Sequence, residues 1–363
     1  MLKSNTHKEI VALVEIAGSH DECLFTQIVA LKERNCDVVL VCTKEIRTRN
    51  PHFEEWVDHY IELEFDKSAF GNLFLAGRMM RLIRQTGAST VVFNTAQGGH
   101  VRNACLLTIT RRTNYIGIVH TTRKFEGSFT QKLINLKIRK YLFLSEFLMK
   151  KVGNQRGKKV DYFYPIRFPK FEQRERAEKK IITIIGGVEN RRKDLEGFVE
   201  MIEPMRNDGF NFVFLGKSDA DNQDVAKFNE IIRKKGLEHV IVQFDHFVSQ
   251  AEFDRHLHVS SAILPLVHPD TPSAEQYFKN QISGAMNVAF GYKIPLLIHE
   301  GYAFIEEMTE ASIYYSKANF RARVTTADFA ALSDKMKGIE KWHNAVQEKR
   351  YADFVLGSGS ASK

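Results

Sequence analysis

The chain has 363 residues, 44% hydrophobic and 26% charged; that is too long for one hydrophobic core and ordinary in composition, so two domains are expected. No stretch holds 18 uncharged apolar residues, residues 1–10 contain no apolar leader, and Cys23, Cys36, Cys42 and Cys105 are too scattered for a zinc knuckle or a disulfide framework, so a reducing cytoplasm is expected. The net charge of +8 is unevenly held: residues 111–159 carry thirteen Lys or Arg against Glu126 and Glu146, a surplus of +11 that leaves the remainder at −3.

Residues 9–16 form a short apolar run ending at Gly18, residues 21–34 a helical pattern and residues 38–42 a second strand, together one βαβ unit. A helix over 70–85, a strand over 90–93, a helix over 101–111 and strands over 116–120 and 141–145 follow. Within the basic segment, Phe129, Leu133, Leu136, Ile138, Tyr141 and Leu142 alternate with Lys132, Lys137, Arg139 and Lys140 at roughly helical spacing. That spacing predicts a basic amphipathic helix, suited to an anionic membrane surface or to nucleic acid, or simply a solvated face over a core stripe.

A polar, charge-rich stretch at 169–180 reads as a linker, after which the same grammar restarts. Strands are expected at 181–185, 210–215, 240–244, 262–266 and 295–299, with helices over 194–205, 224–235 and 284–290. From 326 to 354 a long amphipathic pattern containing Trp342 is expected to pack back across both domains. Residues 357–363 read Gly-Ser-Gly-Ser-Ala-Ser-Lys, which has the look of an appended linker and is set aside from the fold. The pattern predicts two tandem Rossmann-like, doubly wound α/β domains: an N-terminal domain over 1–168 and a C-terminal domain over 181–325, with a closing helix over 326–356.

In open parallel sheets, ligands sit at the carboxyl ends of the strands, where helix N-termini offer free N–H groups to anions. The loop after residue 185 reads Gly186-Gly187-Val188-Glu189-Asn190-Arg191-Arg192-Lys193. Glycines allow close backbone approach, and three cations at a helix start oppose the macrodipole. The loop is thus either a pyrophosphate clamp or a solvated basic turn. Further on, Ser283 is a natural N-cap, Gly284 leaves the next helix start bare for phosphate, and Lys279 can add charge; an ordinary capped core helix reads the same way. Gly216-Lys217-Ser218 is no P-loop, because the position five residues before Gly216 is Asn211. Asp219 and Asp221 read as solvated loop acids, and His256 and His258 lack a third ligand at metal spacing, so no metal site is expected.

The order Gly186-Gly187, Arg191-Arg192-Lys193, Phe214-Leu215-Gly216-Lys217, Leu264-Pro265, Ser283-Gly284, Ala289-Phe290-Gly291 and Pro295 resembles the donor-binding half of GT-B glycosyltransferases of the family 4-like group. Residues 262–298 are the most specific part. The N-terminal half resembles the family more loosely, through Gly18-Ser19-His20, residues 94–100, Val119-His120-Thr121 and Ser145-Glu146-Phe147. The resemblance implies two domains flanking a cleft, with a UDP- or GDP-linked sugar held by Gly187, Arg192, Lys193, Gly216, Glu275, Lys279, Ser283 and Gly284. Two departures stand out: the Arg usual after the first Gly is Gly187 here, and Ser283 stands where the second Glu of a paired-Glu motif would be if Glu275 is the first.

A reaction centre in the cleft would make His120 and His100 candidate catalytic residues, with Gly18 and His20 on the acceptor side; each His could instead be structural. No metal and no cofactor beyond the nucleotide-sugar substrate is implied, since cationic side chains and helix N-termini neutralise the diphosphate. The acceptor is expected to be a glycan or lipid-linked precursor of a surface polysaccharide or glycoconjugate, met at the inner membrane face through residues 111–159, with no nucleic acid. The alternatives are a nucleotide-sugar 2-epimerase of the same architecture, needing no acceptor, and a non-catalytic protein using the basic helix to bind nucleic acid or a partner.

Overall fold

The structure, a computed structural model, describes residues 8–64, 69–108, 113–171 and 180–357. Its described residues divide into two compact units, one comprising those up to Phe168 together with those from Asn344 on, the other Pro169–His343. Most of the linker, residues 172–179, lies outside the described residues, as do Arg111, Arg112 and tail residues 358–363.

The first unit is built on a parallel sheet of β1 (Ile10–Glu15), β2 (Asp37–Cys42), β3 (His59–Glu62), β4 (Thr90–Phe93), β5 (Asn114–Val119), β6 (Lys140–Phe143) and β7 (Lys159–Tyr162), in spatial order β3-β2-β1-β4-β5-β6-β7. Val11, Ala12 and Leu13 of β1 are fully buried, as a central parallel strand with helices on both faces requires. The chain reverses direction across the sheet between β1 and β4, and that reversal is the unit's topological switch point.

The second unit repeats the design with β8 (Lys180–Ile185), β9 (Phe210–Lys217), β10 (Ile241–Phe244), β11 (Ser260–Ile263), β12 (Leu296–His299) and β13 (Ser312–Tyr315), all parallel, in order β10-β9-β8-β11-β12-β13. Here the switch point falls between β8 and β11. Phe198 anchors the core, edge-on to Phe212 and Phe214 at 5.4 Å between centroids.

Two expectations from the sequence are corrected. The single basic amphipathic helix is instead two short helices, Thr122–Gly127 and Phe129–Lys137, followed by β6. Ile138, Tyr141 and Leu142 are fully buried, the last two on β6, which is the strand expected over 141–145 and is paired between β5 and β7; of the two readings of these residues, the strand holds and the helical spacing does not. The long C-terminal helix is likewise broken at Gly338 into Phe329–Lys337 and Asn344–Leu356. The first piece stays with the second unit, where Ser333 Oγ donates to the Lys293 carbonyl at 2.6 Å and Trp342, just beyond, stacks on Phe290 at 4.5 Å. The second piece completes the first unit: Tyr351 Oη donates to Gln27 Oε1 at 3.0 Å, and Arg34 pairs with Asp353 at 2.5 Å. Among the described residues no helix is long and apolar enough to cross a membrane.

Candidate functional site

In the second unit, the loop after β8 lies against the last residues of β9, backbone to backbone, because Gly186, Gly187 and Gly216 carry no side chain where they meet. Gly186 has φ 86°, a conformation L-residues avoid. A Cβ on Gly187 would strike the Lys217 carbonyl oxygen, and one on Gly216 would stand 2.6 Å from Gly186 Cα and from Gly187 N. Val188 N donates to Ser218 Oγ at 3.1 Å, and Asn190 N donates to Asp224 Oδ2 at 2.9 Å, so the loop is held along its length.

The three consecutive cations part company. Arg191 and Arg192 are exposed and pair with Glu189 at 3.1 and 3.4 Å. Lys193 turns inward: it is 7% exposed, and its Nζ lies 3.3 Å from where a Gly186 Cβ would be. Among the described residues no carboxylate is within ion-pair distance of that ammonium. Burial brings its pKa down to about 8, with Glu189 opposing the drop at longer range.

Asp194 caps the helix Leu195–Ile202, its Oδ1 accepting from Gly197 N at 2.9 Å. Its other oxygen receives Lys317 Nζ at 2.6 Å and His268 Nδ1 at 2.7 Å. Burial opposes the charge on Asp194, yet the bonds from His268, Lys317 and Gly197 hold its carboxyl well below the usual range. His268 is fully buried in the loop after β11, its Nε2 lying 2.7 Å from the Tyr315 hydroxyl. Asp194 N also donates to the Leu266 carbonyl at 3.0 Å, and Leu266 itself is left-handed at φ 58°. These contacts bridge the switch point between β8 and β11. Neither Asp194 nor His268 was a sequence candidate; His268 follows Leu264-Pro265, and only its place after a strand could have marked it.

The segment 273–284 lies against the same loop, since Ser273 Oγ donates to the Arg191 carbonyl at 2.7 Å. Glu275 and Lys279 pair with each other at 3.2 Å on an exposed helical turn. Ser283 caps the helix Gly284–Tyr292, accepting from Ala285 N at 3.3 Å, and the space around Gly284 is open. That helix packs on β8 and β11. Following β11, it starts at the carboxyl edge of the sheet, the edge that carries Gly186 and Lys193. Asp219 accepts from Lys217 Nζ at 3.0 Å, and among the described residues no three His, Cys, Asp or Glu side chains gather as a metal site.

In the first unit, the carboxyl edge holds a buried polar cluster around its own switch point. Glu15, fully buried at the end of β1, accepts from Ala17 N at 2.7 Å, Asn94 Nδ2 at 2.6 Å and Thr95 Oγ1 at 2.7 Å. Burial raises its pKa despite these donors. Asn94 Nδ2 also reaches the His20 carbonyl at 2.9 Å, while its own carbonyl oxygen accepts from His120 Nε2 at 2.6 Å. That bond fixes the proton on Nε2 and leaves Nδ1 as the ring's acceptor. Burial pushes His120 down to about 3, so the ring is neutral.

His20, left-handed at φ 70°, stacks on His120 with centroids 3.9 Å apart. Burial disfavours its charge, but Glu22, Glu15 and Asp21 outweigh that and raise its pKa. Gly18 is pinned by Arg49 Nη2, which donates to its carbonyl at 2.9 Å. The structure thus brings Gly18, His20 and His120 together and adds Glu15 and Asn94; His100 lies further along, in the first turn of the helix Gly99–Leu107. A cavity of about 430 Å³ lined by Ile10, Asp37, Asp58 and His59 sits at the opposite, amino ends of β1 to β3, away from both clusters.

No protein-family model matches the sequence, and no curated protein sequence does. Solved structures do match. A glycosyltransferase from Rickettsia africae ESF-5 is 12% identical, with TM-score 0.66 over 97% of this chain and 99% of that one. A putative UDP-N-acetylglucosamine 2-epimerase from Listeria monocytogenes is 14% identical, with TM-score 0.63 over 96% and 95%. The UDP-GlcNAc 2-epimerase from Neisseria meningitidis, bound to UDP-GlcNAc, is 12% identical, with TM-score 0.62 over 96% and 99%. With a seven-stranded and a six-stranded parallel sheet flanked by helices, the chain has the GT-B fold that these proteins share.

Proposed function

We propose that this protein is a glycosyltransferase that moves a sugar from a UDP- or GDP-linked donor, bound by the second unit, to a glycan or lipid-linked acceptor received by the first. The observation that carries the reading is Lys193: a buried ammonium without an acidic partner among the described residues, against a left-handed glycine, on the sheet edge where the helix Gly284–Tyr292 starts. A diphosphate would supply the missing negative charge, taking Lys193 on one side and the open, positively polarised start of the helix Gly284–Tyr292 on the other. Arg192 could release Glu189 to reach it, and the Gly187–Gly216 contact keeps the approach clear. Asp194 and His268 act through the loop, holding its path. In the first unit, His120, whose Nδ1 is left as the ring's acceptor, is the candidate to receive a substrate hydroxyl, with His20 beside it.

The test is a thermal-shift screen with UDP, GDP and their sugar conjugates, with and without magnesium. A ligand at about 100 times its Kd should stabilise the fold by about 2.7 kcal/mol. A shift with one nucleoside diphosphate, independent of magnesium and lost in Lys193→Ala, is the expected result; silence across the screen would sink the reading. The fold is also that of epimerases, so the same preparation is assayed with UDP-N-acetylglucosamine alone. Turnover without any acceptor would replace the transferase reading by the epimerase one.

A further inference from the structure

All six exposed large apolar side chains described in the first unit fall on three helices: Leu73 and Phe74 on Ala69–Gln85, Leu106 and Leu107 on Gly99–Leu107, and Phe129 and Leu136 on Phe129–Lys137. Phe74 and Phe129 are 75% and 73% exposed, far from the usual fate of a phenylalanine. The three helices are neighbours, the middle one packing on both others. Leu107 Cδ1 lies 3.8 Å from where a Cβ on Gly77 would stand, and Lys137 Nζ donates to the Thr108 carbonyl at 3.2 Å. The exposed leucines and phenylalanines therefore share one face instead of being scattered singly over the surface.

The charge on these helices is one-sided. They carry Arg78, Arg81, Arg84, Arg102, Lys132 and Lys137 and not one Asp or Glu. Arg78 follows Phe74 by four residues, and Lys132 lies three after Phe129 and four before Leu136, so cations stand beside the apolar side chains on the same helix faces.

We infer that this face docks on an anionic lipid bilayer, Phe74 and Phe129 entering the headgroup region while the Arg and Lys side chains meet lipid phosphates. Two other occupants fit worse. A second copy in a two-fold pairing would set these three acid-free helices against themselves, cation facing cation. Nucleic acid would satisfy the cations but gain little from four aliphatic leucines. The docking face deepens the reading of a lipid-linked acceptor, yet its test is read without any donor.

The full chain is floated with vesicles of phosphatidylcholine alone and of phosphatidylcholine mixed with phosphatidylglycerol. It should rise with the mixed vesicles only, less so as salt is added. The double variant Phe74→Ser/Phe129→Ser should bind the mixed vesicles roughly tenfold or more weakly. It should keep the wild-type melting temperature and nucleotide response, whereas Phe247→Ser, at an exposed phenylalanine of the second unit, should float like wild type. Absence of flotation with the mixed vesicles at low salt overturns the inference. So does a dimer in solution that the double variant dissolves, since it would assign the face to a second copy. Failure of the donor reading would leave the flotation result untouched.

Discussion

Lys193 sits in an environment at odds with its chemistry, a buried ammonium. Its pKa in the folded protein, about 8, is below the ordinary lysine value, so between the two the unfolded chain binds the extra proton. Stability therefore rises with pH across that window, by up to about 1.4 kcal/mol per pH unit for this one group, and the cost of charging Lys193 is present in full below it. Comparing denaturant unfolding of wild type and Lys193→Met from pH 7 to 10 isolates the effect from other titrating groups. The difference should shift in favour of wild type as pH rises; a flat difference would mean that the ammonium has a partner. The sequence marked three cations in a row at this place, and spacing could not say which turned inward. The histidines were similar: Gly18, His20 and His120 could be picked out as residues after strands. The carboxylate beneath them, Glu15, was hidden as the last letter of an apolar strand, and its partner Asn94 is 79 residues away.

At the scale of elements, the loop after β8 owes its path to what is missing from Gly186, Gly187 and Gly216. Gly187→Ala places a methyl group against the Lys217 carbonyl and should cost about 1–3 kcal/mol, measured by urea unfolding, while weakening any nucleotide response. An unchanged midpoint would show that the loop can part freely from the end of β9. The central strands were legible because a strand buried on both faces is nearly all apolar, and β1, β2 and β4 hold unbroken apolar runs at 10–14, 38–42 and 91–93, while β8 is interrupted only by Thr183. β3, β7 and β13 were not, since strands at or beside an edge carry polar residues such as His59, Glu62, Lys159, Asp161 and Ser312, which look like loop. In the basic segment two readings overlapped for a physical reason: Tyr141 and Leu142 follow a helical stripe by chance of spacing, but the strand read over 141–145 is the one that buries both.

For the whole molecule, the tandem α/β plan was legible, and the destination of the last helix was not. Asn344–Leu356 shows no sequence mark of the unit it joins; its address is Gln27, Arg34 and Phe163, all far upstream. Removing residues 344–363 would strip Tyr351, Phe354 and Val355 from the first unit, side chains worth roughly 1.5–3 kcal/mol each when buried. Limited proteolysis of the truncated chain should cut within residues 8–168 and spare residues 180–343. Equal resistance of both units would show the helix to be dispensable.

That return of the chain also orders events during synthesis. Residues 169–343 leave the ribosome as an unbroken stretch holding every strand of their own sheet. The unit begun first, by contrast, lacks a piece until residues 344–356 are translated, and until then the face around Gln27 and Phe163 is bare. The half of the protein made second is thus the first that can be whole, and the nascent first half is the one that a chaperone would have to shelter.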